Sequence, residues 1–229
     1  MKIKNPFSGL TKFELALWIT SVISITVSFV LSGTADYLTV ISSLIGVTAL
    51  IFIAKGYVIG QILLIVFSVF YGVVSFFFSY YGEMITYLGM SAPAAAAAVV
   101  SWLRHPYKDT KEVEISRLTK KQLIIGMLST VAVTAVFYFI LGALNNASLA
   151  VSTLSVTTSF IASYLTYYRS PYYALAYASN DLVLIILWVM AAIESISYLP
   201  MVICFIMFFV NDIYGFISWK RMQKRQQQK

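Results

Sequence analysis

Eight long apolar runs dominate this chain, each close to the length that crosses a bilayer as a helix. They cover roughly residues 13–31, 39–54, 57–79, 84–103, 122–143, 149–166, 172–193 and 197–218. In lipid only helices and closed barrels satisfy their own backbone, and a barrel would show short alternating strands. The runs therefore predict an all-α polytopic membrane protein with about eight transmembrane helices. Charged residues make up 11% of the chain, against about 25% for a soluble globular protein. The first run, from Phe13, has no small-residue cleavage site behind it and reads as a retained helix rather than a signal peptide.

The charges fix an orientation. Lys2, Lys4 and Lys12 precede the first run, and Lys55 separates the second from the third. Arg104, Lys108, Lys111, Arg117, Lys120 and Lys121 fill the loop after the fourth, and Arg169 separates the sixth from the seventh. Lys220, Arg221, Lys224, Arg225 and Lys229 close the chain. The alternate loops carry Asp36, Glu83, "NNAS" and Glu194 and hold no Lys or Arg. Basic loops stay on the cytoplasmic side, so both termini are expected there. The net charge of +7 is then topogenic and calls for no nucleic-acid partner. The basic end reads as an anchor beside anionic headgroups of the lipid bilayer.

The chain reads as if written twice. "LTKFE" at 10–14 opens the first run, and "LTKKQ" at 118–122 opens the fifth. "TYLGMSAPAAAAAVVSWLR" closes the fourth, and "VICFIMFFVNDIYGFISWKR" closes the eighth, each with Trp (Trp102, Trp219) near its end. An even number of spans separates equivalent positions. The halves then share one orientation, a parallel repeat about an axis along the membrane normal, as several transporter classes have.

Two Asn-Asp pairs interrupt the last two runs, Asn180-Asp181 and Asn211-Asp212. Each lies about 8 residues, or roughly 12 Å, from the cytoplasmic end of its helix, close to the midplane. An ionised Asp there costs from about 2.5 to above 10 kcal/mol. No Lys or Arg lies at that depth to pair with it. The pairs either clasp one helix to another or line a hydrated cavity, and two pairs at one level favour the cavity. Tyr177, Trp188 and Tyr214 lie near that level, with Gln61 and Tyr87 as the nearest polar counterparts in the first half. Aromatic rings beside amides and carboxyls suit a flat polar heterocycle that carries hydroxyls. Where the second half has "FFVNDIYG", the first has "APAAAAAV", with Gly89 and Pro93 softening its helix. No enzyme, metal or cofactor pattern stands out. The single His105 sits in the charged loop, and the single Cys204 is expected as a small buried apolar residue.

"NDIYGFISWKRMQKRQ", "PYYALAYASNDLVLIILW" and "ITYLGMSAP…SWLRHP" together resemble the PnuC family of nicotinamide riboside transporters. The resemblance implies a bacterial inner-membrane facilitator, related to the SWEET sugar transporters and homotrimeric, whose cargo is trapped by cytoplasmic phosphorylation. It implies two parallel three-helix repeats joined by a linking helix, here with an additional N-terminal helix. The chain then divides into an N-terminus 1–12, a first repeat 13–103 with the extra helix, a charged loop 104–121, a linking helix 122–143, a second repeat 144–219 and a basic tail 220–229. The family's Trp-x-x-Trp-x-x-x-Asn substrate pattern falls on Ala174, Tyr177 and Asp181. Its Asn seven residues before each closing Trp falls on Ala95 and Asp212. These departures leave other cargoes open: thiamine, riboflavin or nicotinamide mononucleotide, or a proton-coupled cycle through Asp181 or Asp212. The expected substrate contacts are Gln61, Tyr87, Tyr177, Asn180, Asp181, Trp188, Asn211, Asp212 and Tyr214.

Overall fold

A computed structural model describes residues 6–33, 37–77, 81–146 and 148–228. Lys2, Lys4, Asp36, Ala147 and Lys229, used above for orientation, lie outside the described residues. Eight helical spans among the described residues are long and apolar enough to cross a membrane. They are α1 (Lys12–Ser32), α2 (Tyr37–Ala54), α3 (Val58–Phe77), a fourth span over Tyr81–Leu103, α6 (Lys120–Ala143), α7 (Leu149–Tyr167), α8 (Tyr173–Glu194) and α9 (Leu199–Gln227). The fourth span is α4 (Tyr81–Thr86), a π-helical turn (Tyr87–Ser91) and α5 (Ala92–Leu103), with Pro93 in the first turn of α5. Such a turn admits one extra residue and often marks a functional position.

The repeated "LTK" has a local meaning. Thr11 and Glu14 form a capping box at α1, and Thr119 and Gln122 form another at α6. In each, the threonine hydroxyl accepts from the backbone of the third helical residue, whose side chain accepts from the threonine backbone.

α2 packs on α3, α3 on α5, α7 on α8 and α8 on α9. Across the bundle α2 packs on α9, and α5 on α7. Two tryptophans seal this crossing reciprocally. Trp102 Nε1 donates to the Thr166 carbonyl of α7 at 3.0 Å, and Trp219 Nε1 donates to the Ile53 carbonyl of α2 at 2.8 Å. Their ring centroids stand 5.4 Å apart. α6 lies outside, in contact mainly with α7, and most of its surface faces outward. Cys204 is fully buried, as expected of a small apolar residue.

α1 is fastened to the rest. Trp18 Nε1 donates to Thr48 Oγ1 of α2 at 3.0 Å. Glu14, 2% exposed, accepts from the Tyr214 hydroxyl at 2.7 Å and pairs with Lys55 at 3.3 Å. One structural expectation needs correction. The sequence set the last span to end near 218, with a basic tail from 220 beside the headgroups, but α9 runs on to Gln227. Its last turns are held by the charged loop: Gln226 accepts from the Ile115 N–H at 2.8 Å and donates to the Val113 carbonyl at 3.1 Å, and Arg225 pairs with Glu112. Polar composition ended the hydrophobic run, but nothing in "KRMQKRQQ" breaks a helix.

Candidate functional site

A narrow cavity lies between the two groups of helices, with about 40 Å³ open to a water-sized sphere. That is room for a few waters and far less than a nucleoside fills. Its walls must separate for any such cargo to enter.

Four residues of α8 bring more of its polar groups than any other helix does. Tyr173, Tyr177, Asn180 and Asp181 recur at three- and four-residue intervals and so share a helix face. α9 contributes Phe208 and, one turn on, Asp212. From the other group come Gly46 of α2, Phe67 and Ser68 of α3, and Tyr87 and Ser91 from the π turn. Gly46 is the place where bulk is excluded: a Cβ there would lie 2.4 Å from Phe208 Cζ and 2.9 Å from Phe67 Cδ2.

The chemistry centres on two acids. Asp181 and Asp212 are each 4% exposed, and their carboxyls meet within hydrogen-bonding reach. Asp181 Oδ2 has no hydrogen-bond partner. Among the described residues no Lys or Arg lines the cavity or forms an ion pair with either acid. Two unit charges at about 4 Å repel by about 4 kcal/mol at an effective dielectric near 20. A shared proton or a bound cation relieves that repulsion. The arrangement suits a shared proton or another positive charge, and it is walled by aromatic rings.

The amides are spent on neighbouring helices. Asn180 Oδ1 accepts from Thr158 Oγ1 at 2.9 Å and from Ser155 Oγ at 3.3 Å, both on α7, while the side chain still borders the cavity. Asn211 turns to α1, donating to Ser21 Oγ at 2.9 Å and to its own Met207 carbonyl at 2.8 Å. Tyr177 and Ser163 hydroxyls lie 3.3 Å apart. Behind the cavity, Trp188 Nε1 donates to the Tyr71 hydroxyl at 3.1 Å, and the Tyr71 and Tyr87 rings are 4.4 Å apart.

Of the residues expected from sequence, Tyr87, Tyr177, Asn180, Asp181 and Asp212 come together around the cavity. Trp188 stands behind Tyr71, and Gln61 is fully buried on α3 without lining the cavity. Asn211 and Tyr214 are turned to Ser21 and Glu14 of α1. Sequence reasoning missed Ser68, Ser91 and Ser159. The hydroxyl-dense "SVTTSFIAS" of α7 could have indicated Ser159, but Phe67 and Phe208 carry no signal that separates them from ordinary core.

Comparison with known proteins gives one consistent answer. Residues 36–221 match the family model described as nicotinamide mononucleotide transporter. A nicotinamide riboside transporter PnuC from Neisseria mucosa is 25% identical over 224 residues, covering 96% of this chain and 85% of that protein. A crystal structure of the vitamin B3 transporter PnuC superposes with a TM-score of 0.82 at 25% identity, covering 96% of this chain and 95% of that one.

Proposed function

We propose a cargo from the premise that the chain belongs to the nicotinamide mononucleotide transporter family: nicotinamide riboside, moved as a cation. The protein is a multi-pass membrane transporter. The observation that carries the cargo is the carboxyl pair Asp181–Asp212 in an aromatic cavity lined, among the described residues, by no Lys or Arg. The riboside is an N-substituted pyridinium, so its ring is cationic and flat, and its sugar is neutral. Tyr177, Tyr87 and Tyr173 offer ring faces, the acids offer charge, and Asn180, Ser68 and Ser159 are within the same wall for hydroxyls. A mononucleotide would bring its phosphate dianion to two acids with no cation to receive it. Riboflavin is neutral and larger, and gains nothing from the acids. Thiamine, also a cationic heterocycle, is the nearest rival.

The surrounding reading follows the same lines. The protein is a facilitator in a bacterial cytoplasmic membrane, with both termini and the basic loops in the cytoplasm, where phosphorylation of the vitamin traps it. The reciprocal bonds of Trp102 and Trp219 support a parallel repeat of α2–α5 with α7–α9, linked by α6 and extended by α1. Three chains assemble, as the resemblance implies. Calorimetry on purified protein tests the cargo: heat is expected with nicotinamide riboside and none with its 5′-phosphate or with riboflavin. Binding of thiamine alone would overturn the riboside. Light scattering of the same sample is expected to weigh three chains.

The acid pair also favours a second reading, in which a proton exchanged between Asp181 and Asp212 is coupled to transport. Uptake into kinase-free liposomes separates the two, because only a proton-coupled cycle collapses with an uncoupler.

A further inference from the structure

α3 carries a buried polar stripe. Gln61, Ser68 and Ser75 recur every seven residues, so they share one helix face, and all three are 0% exposed. Both Gln61 side-chain polar atoms, Ser68 Oγ and Ser75 Oγ lack a hydrogen-bond partner. Buried polar groups are normally satisfied, so a row of unsatisfied ones marks a surface that meets water or cargo. The stripe spans about 21 Å of a hydrocarbon layer about 30 Å thick. Its middle member, Ser68, lines the cavity of Asp181 and Asp212.

At the end away from the basic loops a third acid joins this path. Glu83, in the first turn of α4, is 2% exposed, and its Oε2 has no hydrogen-bond partner. Ser155 lies against its carboxyl and also reaches Asn180 at 3.3 Å. Glu83 lies one turn before Tyr87, so the two share a helix face, and Tyr87 lines the cavity with its ring 4.4 Å from that of Tyr71. Among the described residues no Lys or Arg pairs with Glu83. A buried acid without a cationic partner is costly.

We infer that Glu83 is an outer station for the cationic ring, parted from the Asp181–Asp212 site by the Tyr71–Tyr87 aromatic pair. The inference rests on the reading of the cargo as a cation. A ring entering from the side of Glu83 exchanges one carboxyl for the next as the tyrosines part. The π turn, which carries Tyr87, supplies a helix segment whose hydrogen bonds are easily rearranged. On the side of the basic loops, where Gln61 lies, the buried acid Glu14 is already paired with Lys55 and is not free to hold the cation.

The test compares two cargoes of nearly the same shape, nicotinamide riboside and its neutral 1,4-dihydro form, in proteoliposomes. Glu83→Gln keeps the size and the contact with Ser155 and removes only the charge. We expect it to lower the uptake kcat/KM of the cation about tenfold, leave that of the dihydro form within twofold, and leave the calorimetric Kd at the central site within twofold. Because the readout is a ratio of cargoes on one sample, a loss of folded protein cancels, and Glu83→Ala serves if Glu83→Gln does not fold. An equal fall for both cargoes, or no change for the cation, overturns the outer station. Absence of riboside uptake by the unmodified protein overturns the cargo reading and this inference with it. Unmodified uptake with an unaffected variant overturns this inference alone.

Discussion

Replacing Asp181 with Asn removes one charge and almost no volume, so its effect isolates the electrostatic part of recognition. A hydrogen bond to a charged group contributes about 1.5–3 kcal/mol, and Asp181→Asn should weaken binding of the cationic riboside about 10- to 100-fold by calorimetry. Asn211→Ala should behave oppositely, although it is the same distance from the midplane. Its partners are Ser21 and Met207, not the cavity, so it should leave Kd nearly unchanged while lowering stability to thermal unfolding by about 1–3 kcal/mol. The two dipeptides were legible as costly and adjacent in depth, but not the role of each member. Successive helical residues point about 100° apart, and of the pair on α9 Asp212 lines the cavity while Asn211 turns to α1. Which one does depends on how α9 is turned against α1 and α8.

Among the elements, the π turn at Tyr87–Ser91 sets where one tyrosine points. It holds about one residue more per turn than the α-helix on either side, and its Leu88 packs against Gly72 of α3, where a Cβ would come within 2.6 Å. Deleting Gly89 should restore regular α-helix and remove the π geometry that sets the direction of Tyr87. Riboside uptake is expected to fall below a tenth of normal, with helical content by circular dichroism retained. Gly89 and Pro93 made this span look soft in the sequence, and the span itself was legible to within a few residues. The π geometry was not, because it depends on α3 and α7 packing against both sides of the segment.

For the whole molecule, α1 is a structural partner of both helix groups rather than a loose appendage. Glu14 on α1 is buried and is held by Lys55 from the α2–α3 turn and by Tyr214 from α9. Leaving a buried charge without its partner costs about 3–5 kcal/mol, so Lys55→Met should sharply lower the thermal unfolding midpoint in detergent. Glu14→Gln combined with Lys55→Met should recover much of the loss, as the unpaired charge is gone. By itself the sequence determined the number and extent of the spans, the segregation of basic residues to one face, and the presence of acids too deep to be incidental. Those features follow from transfer of side chains and backbone into hydrocarbon, a local property of each segment. Only the tertiary structure decided that Asp181 and Asp212 meet, that Asn211 and Tyr214 serve α1, and that Glu83 is buried without a cationic partner. A helix apolar on all sides carries no amphipathic signal for its rotation. That rotation was set by the packing of neighbours such as Trp102 against Trp219, and with it the face on which each polar group emerges.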